Sequence, residues 1–145
     1  MKRIVVATDG SEGAGRALDY AASLAEKVGC ELVIVNVIGG YGLPNEVFVR
    51  FTEGQHAWLN ELLASISAET LTKARDRARG LGAGTIILES RAGSVAETIV
   101  EVAQEKKADA IIAGKRGAGG FERFLLGSVS QKLVSLAPVP VIVVP

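Results

Sequence analysis

Five of the seventeen glycines fall between Gly114 and Gly127, in a run that reads Gly114-Lys115-Arg116-Gly117-Ala118-Gly119-Gly120-Phe121-Glu122-Arg123-Phe124-Leu125-Leu126-Gly127. Glycine admits positive φ and lets backbone N–H groups come close to a ligand. The run leads into Ser128-Val129-Ser130, which Val129, Leu133 and Leu136 mark as the first turn of a helix. A helix start adds orphan N–H donors and the positive end of the helix dipole, so run and helix together read as a cradle for an anion such as phosphate. Ser128 is expected to cap this helix through a capping box with Gln131 while offering its hydroxyl to a phosphate, and Ser130 shares the turn. Lys115, Arg116 and Arg123 supply local positive charge. The plainer alternative is that the glycines only build a surface loop. Asp9 is the second group of interest, because it follows the apolar run Ile4-Val5-Val6-Ala7 and Thr8 and precedes Gly10-Ser11. A carboxylate there can bond a ribose hydroxyl or hold a magnesium ion that bridges phosphates, its alternative being to cap the turn or the next helix.

Other chemistries find little support. No Gly-Lys-Ser/Thr occurs, so the run is not a Walker A loop, and Gly13-Ala14-Gly15 is followed by Leu18 where a dinucleotide fingerprint needs its third glycine. The single histidine, His56, and the single cysteine, Cys30, leave no serine–histidine–acid constellation and no metal-ligand cluster. Cys30 reads as a small core residue, His56 as a surface or half-buried side chain, and Trp58 as a packing residue against the sheet or a partner.

What must position these groups is an alternation of two periods. Strand-like apolar runs occur at Ile4–Ala7, Leu32–Val37, Thr85–Glu89, Ala110–Ala113 and Val141–Val144. Helical spacing fills the gaps: Ala14, Ala17, Leu18, Ala21, Ala25 and Val28 up to Gly29; Leu59, Leu62, Leu63 and Ile66, fading through Lys73–Arg79 to Gly80; and Ile99, Val102 and Ala103 behind a capping box at Ser94-Val95-Ala96-Glu97. Five strands and four helices predict one domain over residues 1–145, a doubly wound, Rossmann-like α/β fold with a five-stranded parallel sheet covered on both faces. In such sheets ligands bind outside the carboxyl ends of the strands where strand order reverses. The residues expected there are Asp9–Ser11, Val37–Gly40, Arg91–Ser94 and Gly114 onward. A phosphoacceptor receiver domain shares this plan but needs an aspartate closing strand three and a lysine after strand five, whereas the chain has Glu89-Ser90 and ends at Pro145.

Composition bounds the function further. Sixteen Lys+Arg balance sixteen Asp+Glu, so no basic field draws in nucleic acid or an anionic membrane. No apolar run approaches the roughly 20 residues of a membrane helix. One cysteine and an N-terminus that runs straight into a strand lead us to expect a cytoplasmic protein.

The spacing Gly114-x2-Gly117-x9-Gly127-Ser128 resembles the nucleotide loop of the ATP-binding universal stress proteins. The resemblance extends over essentially the whole chain, from Ile-Val-Val-Ala-Thr-Asp-Gly-Ser through Arg91-Ala92-Gly93 and Leu125-Leu126-Gly127-Ser128-Val129-Ser130 to the Val-Pro-Val-Ile-Val-Val ending. It implies an adenine nucleotide, ATP with Mg²⁺, as ligand. Thr8 and Asp9 would lie beside the ribose and phosphates, with Asp9 as the metal ligand, and Val37 would offer backbone groups to the adenine. Gly114, Arg116, Gly117, Gly127, Ser128, Val129 and Ser130 would wrap the phosphates. Asn36 stands where many relatives carry histidine. The resemblance also implies a homodimer paired through the C-terminal strand, and a regulatory role in which binding rather than turnover is the function. The competing readings are a slow ATPase or nucleotide transferase at the same site and a nucleotide-free dimeric interaction module.

Overall fold

The computed structural model describes residues 1–39, 45–115 and 125–145. Its elements run β1 (Arg3–Ala7), α1 (Glu12–Val28), β2 (Glu31–Ile38), α2 (Asn45–Phe48), α3 (Glu53–Gly80), β3 (Ile86–Ala92), α4 (Val95–Glu105), β4 (Ala110–Gly114), α5 (Ser128–Leu136) and β5 (Val141–Val144). All neighbouring strands pair in parallel, in the order β3-β2-β1-β4-β5. This is the doubly wound five-stranded sheet expected from the alternation of periods.

The inner strands are apolar on both faces because both faces are covered. Ile4, Val6, Leu32, Ile34, Ala110 and Ile112 meet α1 and α3, while Val5, Val33, Val35, Ile111 and Ala113 meet α4 and α5. Each fully buried Ile, Leu or Val side chain contributes about 1.5–3 kcal/mol relative to an exposed one, which is why β1, β2 and β4 carry almost nothing else. Helix α1 begins at the N-cap Ser11 and stops at Gly29, whose φ of 74° is the left-handed conformation that ends helices.

Four expectations change. The segment between β2 and the long helix contains the extra short helix α2, a single turn with no apolar stripe of its own to announce it. Strand β3 runs on to Ala92, so Arg91 lies within the sheet, where it pairs with Glu89 and Glu105 rather than facing the ligand side. Neither predicted capping box forms. Ser94 is the N-cap of α4 without a side-chain bond, and Glu97 turns toward Lys132 on α5. For α5 the N-cap is Gly127, one residue earlier than predicted, so Ser128 is already inside the helix and Gln131 Nε2 donates to the Leu126 carbonyl instead. The long stripe on α3 also divides. Only Ser67, Leu71, Ala74 and Ala78 are buried, while Trp58, Leu62 and Ile66 are exposed, Trp58 by 64%. Trp58 therefore does not pack against the sheet.

Candidate functional site

Strand order reverses between β1 and β4: the chain steps from β1 to β2 and β3 on one side, then returns to lay β4 and β5 on the other. Two strand exits therefore flank the switch point, Thr8-Asp9-Gly10 after β1 and Gly114-Lys115 after β4. The first exit is held by its own side chains. Gly10 N–H donates to Thr8 Oγ1 at 3.2 Å, Ser11 N–H to Asp9 Oδ1 at 2.9 Å, and Ala14 N–H to Ser11 Oγ at 3.2 Å. These are an ST turn, an Asx turn and an N-cap in succession. Gly10 turns through a φ of 81°, which a side chain would strain. Thr8 is buried and Asp9 exposed at the mouth.

The second exit is pressed against the first helix. A Cβ on Gly114 would stand 2.8 Å from the Gly13 carbonyl oxygen. Glycine is thus required at 114 for close approach of backbone to backbone, which leaves β4 and the start of α1 side by side across the crevice. Ser130, 2% exposed, donates its hydroxyl to the Gly114 carbonyl at 2.6 Å, and Gly127 N–H donates to the Lys115 carbonyl at 2.8 Å. The first turn of α5 is therefore fastened to the exit of β4. The first backbone bond within α5 is Gln131 N–H to Gly127 O, so the N–H groups of Ser128, Val129 and Ser130 precede the helix's own bonding pattern.

Val37 is placed by the parity of β2. Glu31 and Val35 turn their backbone groups to β1, with Glu31 N–H to Lys2 O at 3.0 Å and Thr8 N–H to Val35 O at 2.9 Å. Leu32 and Ile38 turn theirs to β3, through Leu32 N–H to Thr85 O and Gly93 N–H to Ile38 O. Val37, with the odd parity, directs its N–H and C=O to the β1 side just beyond the point where that strand's pairing ends, at Ala7↔Val35.

The structure thus brings Thr8, Asp9, Val37, Gly114, Gly127, Ser128, Val129 and Ser130 to the carboxyl side of β1, β2 and β4. Arg116 and Gly117 lie outside the described residues, as does Arg123. Sequence reasoning missed the amide of Asn36, whose Nδ2 donates to the Thr8 carbonyl at 2.8 Å, and with it Ser67 and Ser90. A polar residue in the otherwise apolar Leu32–Val37 run was the available signal. Cys30 is buried beneath the sheet and His56 sits edge-on to Phe48, with ring centroids 4.5 Å apart, in the α2–α3 region. Among the described residues no three His, Cys, Asp or Glu side chains gather to hold a metal, and no helix is long and apolar enough to cross a membrane.

The fold and its strand exits define a doubly wound α/β protein with a switch point between β1 and β4, flanked by Thr8-Asp9-Gly10 and Gly114-Lys115. Comparison with known proteins is specific: the family model described as "Universal stress protein family" matches residues 1–145, and the chain belongs to that family. It is 37% identical over 146 residues to Universal stress protein MJ0531 of Methanocaldococcus jannaschii, covering 99% of this chain and 81% of the relative. Among solved structures it is similar to the universal stress protein from Archaeoglobus fulgidus in complex with dAMP, at 30% identity and a TM-score of 0.67, covering 100% of this chain and 98% of that one. It is also similar to a universal stress protein in complex with cAMP, at 27% identity and a TM-score of 0.71, covering 99% and 95%.

Proposed function

We propose that this protein is a cytoplasmic, regulatory member of its family that binds an adenine nucleotide, ATP with Mg²⁺, in the crevice between Thr8-Asp9 and Gly114-Lys115. The observation that carries this reading is the direction of its backbone groups. The N–H groups of Ser128, Val129 and Ser130 lead the dipole of α5 at the phosphate end, and the N–H and C=O of Val37 face the same crevice at the base end. The nucleotides bound in these two similar structures, dAMP and cAMP, point to the same ligand class. Gly114, Arg116, Gly117, Gly127, Ser128, Val129 and Ser130 wrap the phosphates in this reading. Since the Ser130 hydroxyl is spent on the Gly114 carbonyl, its share falls to the backbone N–H.

Asp9 suits a magnesium site that is completed by the nucleotide. One exposed carboxylate matches an ion that is usually held through one or two carboxylates and substrate phosphates. The ion, when bound, neutralises phosphate charge. This chain's part is to orient Asp9, which the Asx turn to Ser11 N–H does. In this reading binding, rather than turnover, is the function.

Pairing through β5 is part of the proposal. β5 is an edge strand between Pro140 and Pro145 with four apolar residues, whereas the opposite edge, β3, carries Glu89 and Arg91, charges that discourage pairing. Ile111 N–H bonds Pro140 O and Lys115 N–H bonds Val144 O, so even-numbered residues of β5 face β4 and Val143 faces outward. Val143→Pro removes one outward N–H, leaves the β4 ladder intact and is expected to convert the dimer to monomer by light scattering.

The nucleotide reading is tested by anion exchange of the supernatant from denatured, freshly purified protein. Calorimetric titration of stripped protein with ATP, ADP and AMP, with and without Mg²⁺, follows. Adenine-nucleotide binding that is lost in Gly117→Val and weakened in Asp9→Ala with Mg²⁺ present is the expected result. Absence of binding by all three nucleotides overturns the reading.

A further inference from the structure

The polar groups beneath the crevice form one directed chain across four elements. Asn36 Nδ2 donates to the Thr8 carbonyl at 2.8 Å, and Asn36 Oδ1 accepts from Ser67 Oγ at 2.7 Å. Ser67 Oγ and Ser90 Oγ are 2.7 Å apart. The chemistry leaves one assignment. A carbonyl oxygen only accepts, so the amide nitrogen must face Thr8 and the amide oxygen must face Ser67. Ser67 spends its one proton on that oxygen, so Ser90 donates to Ser67. The chain runs from Ser90 on β3 through Ser67 on α3 and Asn36 on β2 to the end of β1. Ser67 is 2% exposed on a helix otherwise buried there through Leu71, Ala74 and Ala78, so its hydroxyl has no water to fall back on.

What the amide occupies gives the chain its consequence. In the parallel ladder Thr8 N–H bonds Val35 O, and the next bond in the same register would run from Val37 N–H to the Thr8 carbonyl. Asn36 Nδ2 takes that carbonyl, and the β1–β2 pairing stops at Ala7↔Val35. Meanwhile β2 continues beside β3 for three further residues, through Ile38↔Ala92.

We propose that Asn36 is a positioning residue that ends the β1–β2 ladder at Thr8, with Ser67 and Ser90 fixing the orientation of its amide, so that the Val37 N–H is kept for a ligand. The ladder stop is a property of the free protein. Its consequence for base recognition rests on the nucleotide reading above.

Two measurements separate the two ideas. Native-state amide exchange in the free protein, followed by NMR, is expected to show Val37 N–H exchanging faster than Val33 and Val35 N–H in the wild type. In Asn36→Ala, where the Thr8 carbonyl is released to the ladder, Val37 is expected to slow by about tenfold, the worth of one modest hydrogen bond. Ser67→Ala, which leaves the amide free to flip, moves Val37 in the same direction by less and guards against a folding defect peculiar to Asn36→Ala. A Val37 N–H already protected like its neighbours in the wild type, or one unmoved by both substitutions, overturns the inference whether or not nucleotide binds.

The second measurement compares ATP with inorganic tripolyphosphate by calorimetry. Asn36→Ala is expected to weaken ATP about tenfold while tripolyphosphate stays within about twofold, a split between base and phosphate that general loosening of the fold would not give. Equal loss for both ligands overturns the positioning role. Failure of wild-type protein to bind ATP overturns the nucleotide reading instead and leaves the exchange experiment to decide the ladder stop.

Discussion

Gly114→Ala is the most demanding test of the crevice geometry, because the structure fixes both the clash and the inability to relieve it. The new Cβ would lie 2.8 Å from Gly13 O, 2.9 Å from Gly13 C and 3.3 Å from Ala14 N, whereas ordinary contact begins at 3.4 Å. All three atoms are backbone in the first turn of α1. That turn is held by Ala14 N–H to Ser11 Oγ and Gly15 N–H to Ser11 O. On the other side, β4 is locked in register between β1 and β5, with Ile111 and Ile112 fully buried. Overpacking a closed site costs about 1–3 kcal/mol, and rigid neighbours on both sides place this case near 2–3 kcal/mol. With a urea dependence of about 2 kcal/mol/M, the unfolding midpoint should fall by about 1–1.5 M without a change in slope. Gly84→Ala is the matched control: its Cβ meets nothing within 4 Å, so the substitution should be neutral or stabilising by up to about 1 kcal/mol. A Gly114→Ala midpoint within about 0.25 M of wild type, roughly 0.5 kcal/mol at that slope, would refute the claim that β4 and α1 are in enforced backbone contact.

The remaining predictions concern charge and the thiol. Lys106 Nζ at 2.9 Å, and Arg91 after it, hold the Glu89 carboxyl below the usual carboxylate range. A depressed folded value means that this stabilisation is complete above the unfolded value of about 4.3 and is lost as pH falls through the folded value. Urea midpoints measured from pH 7 to pH 3 should therefore decline in acid, and decline less steeply in Glu89→Gln. Glu105, lowered by Arg91, and Asp109, lowered by the backbone N–H groups of Arg3 and Lys2, act with the same sign. Burial pushes the Cys30 thiol up, so an aromatic disulfide reagent at pH 8 should leave the native protein almost untouched and titrate one thiol once urea unfolds it.

Much of this architecture was legible because its cause is local. Strands buried on both faces read as continuous apolar runs, and Gly29 ends α1 at the position its type suggests. Glycine-rich exits at Thr8–Gly10 and Gly114 were recognisable for the same reason, since tight turns and close approaches admit few residue types. The misreadings arose where several partners compete for one side chain. Glu97 and Gln131 stood at capping-box spacing yet turned to Lys132 and to the Leu126 carbonyl, and nothing at that spacing distinguishes these outcomes. Leu62 and Ile66 carried the helical period of a core face, but α3 outruns the sheet it packs on, a property of tertiary length rather than of sequence. Asn36 was hidden because its two partners, Thr8 and Ser67, and the Ser90 hydroxyl that bonds Ser67 converge only once the sheet is assembled.

The fastening of α5 to the end of β4 has a consequence for how such a protein can change. Gly127 N–H on the Lys115 carbonyl, together with Ser130 Oγ on the Gly114 carbonyl, joins the chain on either side of residues 116–126 like the two ends of a clasp. The sheet and α5 are thus tied to each other independently of what is strung between those ends. Closing a longer intervening segment adds only about 0.6 kcal/mol for each doubling of its length. Insertions, deletions and wholesale exchange of that stretch can therefore leave the scaffold's folding stability nearly constant, so the length and composition of this connection can evolve on a separate schedule from foldability.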